Sequence, residues 1–301
     1  MVRLVLPMAV SPNVLGEFQR TFQGAGLNAG LITQFRGIIY QYYVEHGREL
    51  PWRQTSDPYE ILISEIMLQQ TQVERVVLHY GPFLERFPSF PALAQATLGE
   101  ILTAWQGLGY NRRALALHKI AQQVVGRFHG RLPADRGSLE GLPGIGAATA
   151  GALLTFAFEQ PVVFLETNIR RVYLYFFYPE AQAVPDRMLL PLILMTMDAQ
   201  QVRPWYYALM DYGAMLKKSV SNPNRRSAHY ARQSPFAGSD RELRSRILRL
   251  FLTRPQWSEA AILADVADDR ARRLLQQLVR EQFLLQENGY YRLATGREII
   301  L

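Results

Sequence analysis

Residues 142–168 run LPGIGAATAGALLTFAFEQPVVFLETN, between flanking stretches that are mostly helical in pattern. Pro143 fixes φ, while Gly144 and Gly146 permit φ > 0. The five residues Leu142, Pro143, Gly144, Ile145 and Gly146 therefore predict a tight hairpin between two helices with its backbone amides exposed. The small and apolar run over 147–158 predicts a buried helix directly after it. Open amides at a helix start, with the helix dipole behind them, suit an anion such as phosphate. Further on, Glu166 follows the apolar run Val162, Val163, Phe164 and Leu165, and an acid in that position calls for a role.

Working outward, the chain has 301 residues, 49% of them hydrophobic, which suffices for a full core and allows two domains. The net charge of +7 and pI near 9.7 favour a polyanionic partner, although many basic proteins bind none. With zero cysteines there are no disulfides, no thiolate metal sites and no iron–sulfur cluster on protein thiols, and the compartment stays open on redox grounds. No apolar run reaches the roughly 18 residues a membrane helix needs, and Pro7 and Pro12 interrupt the only apolar stretch near the start. The expectation is a soluble intracellular protein, cytoplasmic, with no membrane association.

Residues 1–30 carry weak helical pattern punctuated by proline and glycine and read as an N-terminal extension. Phe35, Ile38, Ile39, Tyr42 and Tyr43 recur at helical spacing, and Pro51, Trp52 and Arg53 close that segment. Asp57-Pro58 predicts a helix start, and the pattern predicts one helix from Tyr59 to about His79. On such a helix Glu65 shares a face with Ile61, Leu62, Leu68, Gln69 and Gln72. That face reads either as a polar surface turned to solvent or as a half-buried carboxylate whose pKa rises by desolvation until it can donate a proton near neutral pH. Pattern alone leaves both open.

Trp105 to Arg113, WQGLGYNRR, joins two helical segments. Its tyrosine and two arginines read either as a wedge that stacks on bases while the arginines neutralise phosphates, or as an ordinary helix junction. Helical patterns follow over 168–178, 185–198 and 203–218, and then a basic irregular stretch over 217–239 with Lys217, Lys218, Arg225, Arg226 and Arg232. Residues 240–301 predict a helix, a Ser258-capped short helix, a longer arginine-rich helix and an Asn288-Gly289 hairpin. Three helices and a terminal hairpin describe a winged-helix-like domain, of a kind that binds either DNA or protein.

An ordered set of motifs spans roughly residues 31–216: Pro51-Trp52-Arg53, Asp57-Pro58-Tyr59, SEIMLQQTQV from Ser64, Gly107-Leu108-Gly109-Tyr110, His118-Lys119, the 142–146 hairpin with Thr149-Ala150-Gly151, and Asn168 with Arg171-Val172. Together they resemble the helix-hairpin-helix DNA glycosylase superfamily, and within it the MutY-type adenine glycosylases. The resemblance implies a mainly α fold with two helical lobes around a cleft over 31–216, a hairpin that grips the DNA backbone, and a target base flipped out of double-stranded DNA. It also implies a monomer acting on DNA in base-excision repair, in the nucleoid of a bacterium or archaeon.

Residue by residue, the resemblance makes Glu65 the general acid that protonates N7 of adenine and assists the attacking water. Glu166 falls where the family has an aspartate that offsets charge on the sugar, with Asn168 beside it. Trp52, Arg53 and Gln69 fall near the base pocket. The expected DNA contacts are Gln70, Gln72, Tyr110 (which intercalates beside the partner of the lesion), Arg112, Leu142, Gly144, Ile145, Gly146, Thr149, Arg225 and Arg226, with a place for a monovalent cation at the 142–146 carbonyls. No other metal and no cofactor is expected.

Four departures shape the expectation. Glu166 is longer than the family's aspartate by one methylene, and shifts of about 1 Å alter rates. Ala148 stands where bifunctional relatives carry a Schiff-base lysine, so hydrolysis without lyase chemistry is expected. Lys217, Asn224 and Ser227 lie where the four cluster cysteines would be, so the basic loop must be held by packing or hydrogen bonds. The winged-helix-like segment stands where the family has its 8-oxoguanine-reading domain. The expected activity is monofunctional excision of adenine from a mismatch; uracil, hypoxanthine or mismatched thymine as the target, or a catalytically silent lesion-binding protein, are the alternatives.

Overall fold

The computed structural model of the chain describes residues 10–231 and 235–295. The fold is mainly helical. Its helices are, in order, α1 (Pro12–Ala25), α2 (Ala29–His46), α3 (Pro58–Leu68), α4 (Val73–Arg86), α5 (Phe90–Gln95), α6 (Leu98–Ala104), α7 (Arg112–Arg127) and α8 (Arg136–Glu140). There follow α9 (Ala147–Phe158), α10 (Thr167–Phe177), α11 (Asp186–Thr196), α12 (Val202–Ser219), α13 (Asp240–Leu250), α14 (Glu259–Val266) and α15 (Ala271–Arg280). Three short strands, β1 (Gln256–Ser258), β2 (Leu284–Glu287) and β3 (Tyr290–Leu293), form one antiparallel sheet in the order β1-β3-β2. None of the described helices is long and apolar enough to cross a membrane. The chain divides into two compact units, Met1–Arg53 with Ala150–Arg232 and Gln54–Thr149 with Gln233–Leu301.

The first unit has an aromatic core. Phe18 of α1 is fully buried and meets Phe176 and Phe177 of α10 edge-on at 5.5 and 5.4 Å between centroids, while Phe35 of α2 packs on Trp205 of α12 at 5.8 Å. The segment before α2 is thus held by packing rather than trailing from the fold: Ser11 caps α1, Pro12 starts it, and Phe18 anchors it. Helices α10 and α12 approach most closely at Gly213, where a Cβ would lie 2.3 Å from the Asn168 carbonyl oxygen. Only a residue with no side chain fits there.

In the second unit Asp57 caps α3 by accepting from the Tyr59 amide at 2.7 Å, and Pro58 occupies the first turn, as their order predicts. The single helix expected from Tyr59 to about His79 is instead two. Gln69 ends α3, Gln70 takes the left-handed conformation with φ 55°, and Gln72 starts α4. Helical periodicity continues through the break, which is why the pattern conceals it. Gln69 and Gln72 consequently do not share a helix face with Glu65.

Residues 240–295 follow the order helix, strand, two helices, hairpin. Leu243, Ile247, Ile262, Leu274, Leu275, Leu278 and Phe283 are buried and form the apolar interior of this segment. Asn288 and Gly289 join β2 to β3 with φ of 52° and 78°, the two positive values that a two-residue turn matched to strand twist requires. The short strand β1, paired to β3, has no local signal in the sequence.

Candidate functional site

In the second unit, Glu65 lies half-buried on α3 between buried Ser64 and Ile66. The end of that helix is clamped by Arg113 of α7. Its Nη1 donates to the Ile66 and Met67 carbonyls at 2.9 and 2.7 Å, and its Nη2 donates to Thr71 Oγ1 and to the Leu108 and Gly109 carbonyls at 3.0 to 3.1 Å. A guanidinium on the last carbonyls of a helix satisfies acceptors that have no intrahelical donor and complements the dipole. Burial pulls the Arg113 pKa down to about 10. Arg113 is therefore a structural link between the helix carrying Glu65 and the 107–110 loop, not a surface cation that neutralises phosphate. The helical phase of α7, which turns Arg113 inward and Arg112 outward, is the one signal that distinguishes them in sequence.

Arg112 is also engaged. It donates from Nε and Nη2 to the carboxylate of Glu281, which Arg244 shares. This corrects its reading as a cation held for DNA, because its charge is already balanced within the fold. Tyr110 sits in the left-handed region at φ 49°, preceded by Gly109 at φ 71°. The Trp105 indole N–H donates to the Gly109 carbonyl at 3.0 Å and fixes the turn from inside.

The hairpin after α8 has the expected form. Leu142 and Ile145 are buried and anchor it, so what they can offer a ligand is backbone; Gly144 and Gly146 are exposed, and Gly144 has φ 76°. Ala147 and Ala148 at the start of α9 are exposed too, leaving the amide end of a twelve-residue helix open. Gln69 is tied to this hairpin: its Nε2 donates to the Gly144 carbonyl and to Thr149 Oγ1, both at 3.2 Å. Its amide thus braces the hairpin rather than facing a base pocket. Gln70 and Gln72 are exposed on the neighbouring turn.

In the first unit, Glu166 is the N-cap of α10. Its Oε1 accepts from the amides of Asn168 and Ile169 at 2.7 and 2.8 Å, and Oε2 from Asn168 Nδ2 at 3.3 Å. An acid at a helix N-terminus is favoured by the dipole. Burial nevertheless pushes the carboxyl up from its ordinary value, against those two amides and the charges of Arg171 and Arg170. Asn168 Oδ1 accepts from Arg171 Nη1 at 2.7 Å; the same nitrogen reaches the Gly213 carbonyl at 2.6 Å, and Arg171 Nε reaches Asn222 Oδ1 at 3.3 Å.

That network includes the loop standing where the cluster cysteines would be. Asn224 is buried and donates from Nδ2 to the Thr167 carbonyl at 3.0 Å, beside Glu166. Arg226 donates to the carbonyls of Leu174 and Pro179 at the far end of α10. Arg226 is therefore a helix-end cap and not a DNA contact, whereas Arg225 is exposed. Amide and guanidinium groups fasten this loop; with no cysteine in the chain, they do not fit an iron–sulfur cluster held by thiolates.

Trp52 is buried, and Arg53 is enclosed with Asp211. Arg53 Nη1 and Nη2 bind Asp211 Oδ2 and Oδ1 at 2.8 and 2.7 Å, Arg48 Nε binds Oδ1 at 2.6 Å, and the Arg53 guanidinium lies 4.4 Å from the centroid of the Tyr207 ring. Both terminal nitrogens of Arg53 are thus engaged by protein, which corrects its reading as a residue that contacts the base. Burial alone would raise the Asp211 carboxyl, but Arg53 and then Arg48 outweigh it and hold the group below the usual carboxylate range. Sequence reading missed Asp211, a lone acid in an apolar helix.

Residues 63–192 match the family described as HhH-GPD superfamily base excision DNA repair protein. The adenine DNA glycosylase of Mycolicibacterium smegmatis is 34% identical over 227 residues, covering 70% of this chain and 78% of that protein. That of Buchnera aphidicola subsp. Baizongia pistaciae is 36% identical over 189 residues, covering 60% of this chain, which spans only about half, 52%, of the Buchnera protein. A thymine/uracil-DNA glycosylase of Pyrobaculum aerophilum is 40% identical over 142 residues, 46% of this chain and 62% of that one. Among solved structures, a thermostable thymine-DNA glycosylase superposes with a TM-score of 0.55 at 28% identity, covering 61% of this chain and 86% of the other. With the capped carboxylate, the exposed hairpin and the ordered motifs around them, these similarities mean that the chain belongs to the HhH-GPD superfamily of base excision DNA repair proteins.

Proposed function

We propose that this protein is a monofunctional DNA glycosylase that hydrolyses the N-glycosidic bond of a base flipped out of double-stranded DNA, with adenine in a mismatch as its first substrate. The observation that carries the reading is Glu65, a half-buried acid in a buried stretch of α3, in a chain 34% identical to an adenine DNA glycosylase over 227 residues. Glu65 donates its proton to N7 of the base, the C1′–N bond breaks with its electron pair leaving on the base, and the carboxylate then takes a proton from the water that attacks C1′. Glu166 offsets positive charge on the sugar, and Asn168 and Arg171 hold it in place. The Gly144–Gly146 turn and the start of α9 receive a backbone phosphate. Ala148 offers no amine for a Schiff base, so no lyase step follows.

Thymine or uracil in a mismatch is the second reading. It is favoured by the identity to the Pyrobaculum thymine/uracil-DNA glycosylase and by the likeness to the thymine-DNA glycosylase structure. Purified full-length protein incubated with single-lesion duplexes (adenine opposite 8-oxoguanine or guanine, uracil or thymine opposite guanine, and hypoxanthine) separates the readings when abasic products are cleaved by alkali. Release of adenine is expected; release of uracil or thymine alone moves the substrate to the second reading, and release of nothing removes the enzyme claim.

A further inference from the structure

The corner at Tyr110 is held by the C-terminal segment, although nothing in the reaction described above requires that segment. The Tyr110 ring lies between two guanidiniums, Arg113 at 5.5 Å and Arg241 at 5.3 Å from its centroid. Arg113 belongs to the same loop and helix, but Arg241 comes from the first turn of α13, 131 residues away in sequence. Its Nη1 donates to the Tyr110 hydroxyl, and its Nη2 to the Pro235 carbonyl at 3.3 Å. One helical turn on, Arg244 binds Glu281, the same carboxylate that binds Arg112, two residues past Tyr110. Residues 110 and 112 are thus both fastened to this segment, one through its hydroxyl and one through its charge.

A tyrosine that only filled a core would not need such a clasp on its polar tip. Held this way, the ring has one orientation, and a rigid aromatic side chain loses little on entering a stack of bases. We propose that Arg241 is a positioning residue: it fixes the Tyr110 hydroxyl so that the ring takes one pose beside the base opposite the excised one, and the C-terminal segment thereby sets the preference for that opposite base. The inference rests on the reading that the protein excises a base with Tyr110 inserted in the duplex.

The test uses the full chain as wild type, Arg241→Ala, Arg241→Lys, Tyr110→Phe and the double variant Arg241→Ala/Tyr110→Phe. Single-turnover excision is measured on one target base placed opposite 8-oxoguanine, guanine, cytosine or thymine. Arg241→Ala and Tyr110→Phe should each narrow the spread of rates among opposite bases by about tenfold, the scale of one charge-assisted hydrogen bond. The double variant should narrow it no further than either single change, and Arg241→Lys should recover part of it. Tyr110→Phe removes only the hydroxyl, so it reads the effect even where Arg241→Ala folds poorly. A spread unchanged in Tyr110→Phe, or two effects that simply multiply, would overturn the inference while leaving the glycosylase reading intact. A wild-type protein that releases no base from any duplex would overturn both.

Discussion

Asp211 shows how a residue outside the reaction governs those inside it. Its carboxylate side chain is 1% exposed and holds Arg53 and Arg48 together, and Arg53 in turn stacks on Tyr207, itself stacked on Phe156 of α9 at 4.6 Å. Asp211→Asn would leave two guanidiniums without their charge partner, one of them buried, and should lower stability by about 3 kcal/mol in urea unfolding at neutral pH. The pH dependence has a definite sign. Folding lowers this carboxyl's pKa, so the unfolded chain binds the proton more readily; the contribution is complete above the unfolded value of about 3.9 and is lost as pH falls through the lower folded value. The difference between variant and wild type should therefore shrink below about pH 3.9. A constant difference across that range would mean the ion cluster contributes packing and not charge. Position by position, Glu65 and Glu166 were legible because an acid beside an apolar run stands out. Arg113 and Arg226 were not, since each has an arginine neighbour of the same composition and opposite exposure.

Among the elements, α10 is the one through which the site can be disturbed from a distance. Its first turn carries Glu166 and Asn168, its start packs on Gly213 of α12, and both its ends are fastened by the loop of Asn222, Asn224 and Arg226. Gly213→Ala would place a Cβ 2.3 Å from the Asn168 carbonyl oxygen, which is backbone and cannot turn aside. Overpacking of this kind costs about 1–3 kcal/mol and should also move the start of α10, so melting temperature and excision rate should fall together. A variant that melts lower yet excises at the wild-type rate would show that the Glu166 position is insensitive to this contact. The elements themselves were mostly readable from capping residues and period. The break at Gln69–Gln72 was not, because the apolar period runs through it, and neither was α1, whose glycines and prolines hide an anchor as strong as Phe18.

For the molecule as a whole, the mainly helical fold and the 142–146 hairpin follow from local pattern, whereas the fastening of the C-terminal segment to the Tyr110 corner comes from residues more than a hundred positions apart. Such contacts leave no trace in spacing. The same holds for the loop over 220–231, where absent cysteines were evident but the asparagines that replace their anchoring role were not. The central claim is that Glu65 supplies the proton for base release, and the most direct measurement compares wild type with Glu65→Gln on one adenine:8-oxoguanine duplex, following released base under single turnover alongside DNA affinity by anisotropy. Glutamine keeps the size and loses the proton, so the account predicts that release falls by at least about a hundredfold while affinity changes by less than about threefold, the scale of a few tenths of a kcal/mol. Release at the wild-type rate from Glu65→Gln would contradict it.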